Sequence, residues 1–140
     1  DVKGLIGAML EGKPPTIPEA VYKEALAARP TLQKAFADYF ATNKVAGIIF
    51  PTTPAPAQVI ATSGETFELN GQKVPTFPTF IRNADPGSNA GIPGITVNAG
   101  MSESGLPIGI AVDGPANSDR ELLAIAMAME QVLGRAPAPK

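Results

Sequence analysis

The chain has 140 residues, 44% of them hydrophobic, which is enough for one modest domain with a hydrophobic core. Its 11 basic and 13 acidic residues nearly balance, so no basic footprint points to nucleic acid or to an anionic membrane surface. The sequence contains no cysteine and no histidine. By itself the chain therefore cannot supply a thiolate nucleophile, a Ser-His-Asp triad or an ordinary zinc site.

The first 43 residues are predicted to be helical. Residues 1–11 favour a short helix, and Thr16 and Glu19 have the spacing of a capping box that starts a second one. The second helix should bend or stop before Pro30, because a proline inside a helix removes a backbone hydrogen bond. Its inward face is predicted to be Val21, Ala25 and Leu26. A third helix is indicated by an apolar stripe at helical spacing, formed by Leu32, Ala35, Phe36, Tyr39 and Phe40.

Residues 44–116 are predicted to hold strands, a hairpin and loops. The apolar run Val45 to Phe50 ends at Pro51, which is typical of a short buried strand. Asn70-Gly71 separates two short extended runs and predicts a type I′ hairpin turn, because both positions require positive φ. Residues 76–84 favour one or two turns of helix. Two further strands are predicted at residues 95–98 and 106–112, and a polar turn at residues 102–105 joins them.

Residues 117–135 are predicted to form a closing helix. Ser118 and Glu121 have capping-box spacing at its start, and Gly134 is suited to its end. Its apolar face comprises Leu122, Ile125, Ala126, Met129 and Leu133. The order of helices, strand, hairpin, strands and helix predicts an α/β fold with helices packed on a mixed sheet.

Three features are candidates for chemistry, and each has a plainer interpretation. Residues 85–94 (DPGSNAGIPG) are small enough to approach either a ligand or a neighbouring element, and they lack phosphate-loop spacing. Thr52 and Thr53 follow a predicted strand, where ligands collect in α/β sheets, although such threonines are more often turn residues. Asp85 and Asp113 have the chemistry of general bases, but turn carboxylates far outnumber catalytic ones.

Four segments, taken in order, resemble the amidase-signature family. Val45 to Pro56 (VAGIIFPTTPAP) is similar to the segment in which a buried strand ends in Pro-Thr-x-Pro. Ser88 to Val97 resembles the asparagine-containing loop and strand, although Ser88 stands where many members have asparagine. Gly105 to Ile110 is similar to a Gly-Leu-Pro-x-Gly-x-Gln strand, and Asp119 to Glu130 resembles the closing helix. The resemblance leans toward arylacetamide-type members such as mandelamide and indoleacetamide hydrolases.

The resemblance implies an enzyme that hydrolyses carboxylic amides to acid and ammonia through a Ser-Ser-Lys triad, without a metal or organic cofactor. This chain has no Gly-Gly-Ser-Ser stretch, so the resemblance transfers no catalytic residue to it. It implies instead that residues 1–140 are the C-terminal segment of an amidase domain, which completes a large mixed sheet and walls the acyl pocket. The partners would be the N-terminal part of the same enzyme and a small amide substrate. The matching wall positions are Thr53, Pro54, Asn83 and Pro86.

Two alternatives remain open from the residues. One is an autonomous binding or interaction module with residues 51–56 as an extended recognition strip, and the other is a scaffold segment without a site. A piece of a larger enzyme should expose apolar surface and self-associate as a homo-oligomer. The strand residues expected to be bared are Ile48, Phe50, Ile95, Val97, Ile108 and Ile110.

A cytoplasmic location is expected. The start of the chain lacks the basic head and apolar stretch of a signal peptide. No apolar run approaches the roughly 20 residues that a membrane-spanning helix needs.

Overall fold

The computed structural model describes Gly7, residues 17–135 and Pro137. The helix predicted over residues 1–11 lies outside the described residues, except for Gly7, which is helical. The elements that follow are, in chain order, α1 (Glu19–Asn43), β1 (Ile48–Pro51), β2 (Thr66–Leu69), β3 (Gln72–Pro75), α2 (Thr76–Ile81), α3 (Asp85–Ala90), β4 (Gly94–Met101), β5 (Pro107–Asp113) and α4 (Asp119–Leu133).

Helix α1 is one continuous helix of 25 residues, so the prediction that it stops before Pro30 and is followed by a separate helix is wrong. A bend at Pro30 stays a prediction. Proline costs one hydrogen bond, but the stretches on either side are rich in alanine and other strong helix formers that carry the helix through it. The predicted inward face of its first half is also wrong, because Val21, Ala25 and Leu26 are all exposed. Only the second half reaches the core, where Phe40 is 6% exposed. The helix begins after Pro18, and Thr16 lies outside the described residues.

The main sheet has three strands in the order β1-β5-β4, and both pairings are antiparallel. Its central strand β5 pairs Asp113 with Ile48 on one side and with Gly94 on the other. Strand β1 extends to Pro51, one residue beyond its predicted end. The missing N–H of Pro51 is tolerated because β1 lies at an edge of the described sheet. The predicted α/β fold is confirmed, with an antiparallel sheet in the described part.

The predicted Asn-Gly hairpin is confirmed. Asn70 and Gly71 have φ angles of 51° and 75°, and they join β2 to β3 through a two-residue turn. The hairpin forms a separate two-stranded sheet. Its Phe67 packs on Phe80 of α2, with ring centroids 5.3 Å apart. This contact holds α2 against the hairpin. Helix α2 itself confirms the helical turns predicted for residues 76–84.

One face of the main sheet packs against the closing helix α4. Val97 and Val112 point to this face and are 4% and 1% exposed, and Leu122 and Ala126 of α4 are also buried. The predicted helix and its glycine end at Gly134 are confirmed. The predicted cap is wrong, because Ser118 makes no side-chain cap hydrogen bond and its Oγ is buried without a partner in the part of the chain described.

Of the strand residues expected to be bared, Ile108 is exposed and Ile48, Phe50, Ile95 and Ile110 are half-buried. Val97 is buried, contrary to expectation, since α4 covers it. Other exposed apolar side chains lie on β1, where Ile49 is 62% exposed, on α2, where Phe77 is 73% exposed, and on α4, where Leu123 and Met127 are 56% and 64% exposed. Large exposed apolar areas of this kind usually have a partner.

Candidate substrate-binding wall

Residues 85–94 lie in the region predicted to hold strands, a hairpin and loops, but their first six residues form a helix. Pro86 suits the first turn of α3, and Gly91, with φ 72°, ends the helix in the left-handed conformation. Helix α1 holds the other end of this short helix. Arg29 Nε donates to the carbonyl oxygen of Asn89 at 2.8 Å, and Gln33 Nε2 donates to that of Ala90 at 2.9 Å. The stretch therefore packs against neighbouring elements.

The second face of the sheet lies under α3, and its lining combines small and polar residues with Phe50, Ile92 and Ile95. A cavity of about 230 Å³ separates the two elements. The hydroxyl oxygens of Thr52 and Thr96 are 3.2 Å apart at one part of its lining. Gly109 lies beside them, and a Cβ at that position would be 2.8 Å from Thr52 Oγ1. A larger residue in place of Gly109 would therefore displace this hydroxyl pair.

Asp113 lies in the same cavity lining, at the end of β5. Its carboxylate is held between two glycines: a Cβ on Gly94 would lie 2.5 Å from Oδ1, and a Cβ on Gly87 of α3 would overlap Oδ2. Within residues 17–135, Asp113 has no hydrogen-bond or ion-pair partner for its side chain. Burial raises the pKa of this carboxyl above its ordinary value. Its contacts with the glycines indicate a packing role.

The four residues predicted to wall the acyl pocket lie on three connected segments. Thr53 and Pro54 line a second cavity of about 270 Å³ together with Pro107 and Ile108. The hydroxyl of Thr53 donates to the carbonyl oxygen of Ala55 at 2.8 Å.

The other two predicted wall residues lie outside that lining. Asn83 Nδ2 donates to the carbonyl oxygen of Pro51 at 2.7 Å, which ties the segment before α3 to the end of β1. Pro86 is exposed on α3. The structure thus joins the Asn83 segment to the strand that leads into Thr53, and the four residues do not share one cavity.

Sequence reasoning missed Thr96 and the contact of Asp113 with the glycines. Thr96 reads as an ordinary strand residue, and Asp113 as a turn residue. The available signal was the alternation of side chains between the two faces of a strand. Because Gly94 pairs with Asp113, Thr96, two residues after Gly94, lies on the same sheet face as Asp113.

A groove of about 770 Å³ runs along the second half of α1 and is mainly apolar. Phe36, Phe40, Val45 and Ile92 contribute to its lining. In the described ranges, no group of three or more acidic side chains is placed to hold a metal ion. No helix there is both long and apolar enough to cross a membrane.

Comparison with known proteins gives one consistent family. The family model described as "Amidase" matches residues 9–123. The chain is 39% identical to an indoleacetamide hydrolase of Agrobacterium vitis, over 95% of the chain and 28% of that protein. It is 41% identical to a mandelamide hydrolase of Pseudomonas putida, over 93% of the chain and 24% of that protein.

A solved structure shows the same fold. A crystal structure of an amidase superposes with a TM-score of 0.75 at 28% identity, covering 84% of this chain and 26% of that one. The chain therefore spans about a quarter of the length of the relatives that it matches.

Proposed function

The chain belongs to the amidase family, and we propose that it is the C-terminal segment of an enzyme that hydrolyses carboxylic amides to acid and ammonia. The observation that carries this proposal is the match to two amide hydrolases at about 40% identity over more than nine-tenths of the chain. The likeness to a solved amidase at a TM-score of 0.75 supports it independently of those two sequences.

The chemistry would be performed outside this chain. The sequence has no histidine, no cysteine and no Gly-Gly-Ser-Ser stretch, so a Ser-Ser-Lys triad has no anchor here. The part of the enzyme that these residues form would complete the sheet and wall the acyl pocket with Thr53, Pro54, Asn83 and Pro86. The hydrogen bond from Asn83 to the Pro51 carbonyl supports this role, because it holds two of the wall segments together.

The substrate class that fits best is an arylacetamide. Both relatives named above act on amides whose acyl group bears an aromatic ring, according to their names. Three apolar side chains precede Asn83 within six residues: Phe77 is exposed, and Phe80 and Ile81 are half-buried, while the adjacent Arg82 is exposed. Such a surface favours an apolar acyl group over a charged one.

The partners and location follow from the same proposal. The exposed apolar side chains of β1 and α4 would pack against the rest of the enzyme, which favours this function over an autonomous module. In isolation the chain should self-associate, so light scattering over a concentration series is expected to give a mass above that of one chain. A cytoplasmic location and homo-oligomers of the isolated chain belong to the same proposal.

The deciding experiment compares the full-length enzyme with the isolated chain on indoleacetamide, mandelamide and a short aliphatic amide. We expect the full-length enzyme to release ammonia from the first two, and the isolated chain to show only background. Turnover by the isolated chain that a single substitution within it abolishes would contradict the proposal.

The wall is tested by bulky substitutions in the full-length enzyme. Thr53→Phe and Asn83→Phe should change the ratio of kcat/KM between aromatic and aliphatic amides by about tenfold or more. Thr62→Phe is the matched control, because Thr62 is exposed and bonds only within its own turn. An unchanged ratio in both wall variants would remove these residues from the site.

A further inference from the structure

Helix α3 needs an external support to hold its position. It has six residues, two of them Pro86 and Gly87, and so short a helix is unstable by itself. Its C-terminal carbonyls are bonded by the side chains of Arg29 and Gln33 from α1. These two bonds hold one end only, and the N-terminal half of α3 is supported from the sheet side.

Asp113 is the group that meets the N-terminal half of α3. Its Oδ2 occupies the space that a Cβ on Gly87 would take, and its Cγ would be 3.1 Å from that Cβ. Its Oδ1 occupies the corresponding space at Gly94 on β4. The two oxygens thus fill the space beside two different backbones, one on the helix and one on the sheet. The side chain of Asp113 therefore lies between the helix and the sheet.

We propose that Asp113 is a positioning residue for the acyl pocket, which it controls by setting the height of α3 above the sheet. The inference rests on the proposed function, since Pro86 on α3 and Asn83 just before it are the wall residues that would move. Asp113 would act through α3, without contacting the substrate or a catalytic group. Small residues are required at positions 87 and 94 because the carboxylate fills the space beside them.

The test is a double-mutant cycle in the full-length enzyme, built from Gly87→Ala, Asp113→Ala and their combination. The added methyl group of Gly87→Ala clashes with the carboxylate, and the second substitution removes the clashing atoms. We expect Gly87→Ala to change the selectivity between aromatic and aliphatic amides by about tenfold, and the double variant to recover most of that change. Asp113→Asn keeps the shape of the side chain and should alter selectivity less than Asp113→Ala does.

The control is Gly64→Ala, because nothing lies within 4 Å of a Cβ at that position and it is far from the carboxylate in sequence. Stability is measured on the wild type, the two single variants and the double variant. The effects of the two substitutions on the unfolding constant should depart from additivity by about tenfold. Selectivity and unfolding effects that simply add would overturn the inference. Coupled unfolding with unchanged selectivity would also overturn it, because Asp113 would then be structural only.

The two proposals fail in different ways. A full-length wild-type enzyme that hydrolyses none of the amides would refute the proposed function, and the unfolding cycle would still report whether Asp113 supports α3. An active wild-type enzyme with no coupling between positions 87 and 113 would leave the function standing and refute the positioning role.

Discussion

Leu122→Ala tests whether α4 is held by the contacts described for its buried face. Leu122 is 3% exposed, and its Cδ1 would lie 3.5 Å from a Cβ at Gly114. Truncation of a leucine so buried removes its contacts and leaves a cavity, which typically costs 2–5 kcal/mol. Taking about 3 kcal/mol, the unfolding constant rises roughly 150-fold, and the melting temperature of a chain of this size falls by about 10 °C.

The adjacent Leu123 provides the matched control on the same helix. It is 56% exposed, so Leu123→Ala should cost less than about 1 kcal/mol in the isolated chain at concentrations where that chain is a monomer. In the full-length enzyme the cost should rise, because the proposal covers this side of α4 with the rest of the protein. Urea unfolding followed by circular dichroism measures both variants in both proteins. Equal losses for the two leucines in the isolated chain would refute the packing described for α4.

Three further predictions concern single positions and use the same unfolding measurement. Gly71→Ala should cost about 1–2 kcal/mol, because its φ of 75° is unfavourable for a residue with a Cβ; an unchanged midpoint would contradict the hairpin geometry. Gly109→Ala should cost about 1–3 kcal/mol, since its methyl group would lie 2.8 Å from both Thr52 Oγ1 and Thr96 Cγ2, and a neutral effect would show that this space is open. The raised pKa of Asp113 means that the fold favours the protonated form, so the wild type loses stability as pH rises from about 3.8 through the folded pKa. Asp113→Asn lacks this loss, so its stability relative to wild type should increase between pH 3 and pH 7, and a decrease would reverse the reasoning.

The parts of the fold that sequence reasoning predicted are those set by local chemistry. The Asn-Gly turn needs positive φ at both residues, and few other arrangements offer it. The closing helix has a regular apolar stripe that ends at a glycine. The continuity of α1 through Pro30 could not be predicted from the residues next to the proline. Whether a proline breaks a helix depends on how stable the helical segments on both sides are.

In the candidate site, too, the features that the sequence could not predict are those that depend on tertiary contacts. Thr53 and Asn83 were reached through a resemblance over several segments, and the bond from Asn83 to the end of β1 is a tertiary contact between residues about 30 positions apart. The position of the Asp113 carboxylate between Gly87 and Gly94 depends on the register of β4 with β5 and on the placement of α3. Neither can be derived from the spacing of Gly87, Gly94 and Asp113 along the chain.

The pairing of β1 with β5 has a consequence for how the chain is made. The two strands are about 60 residues apart, so β1 leaves the ribosome several seconds before its partner at roughly 5–20 residues per second. During that interval its apolar residues Ile48 to Phe50 present an unpaired backbone that can bind another nascent chain. The backbone of strand β4 also stays unpaired until β5 has been synthesised, because β5 pairs with both β1 and β4. Slowing translation of the codons for residues 51–107 should therefore raise aggregation in the cell, and a chaperone that holds extended apolar segments should relieve it.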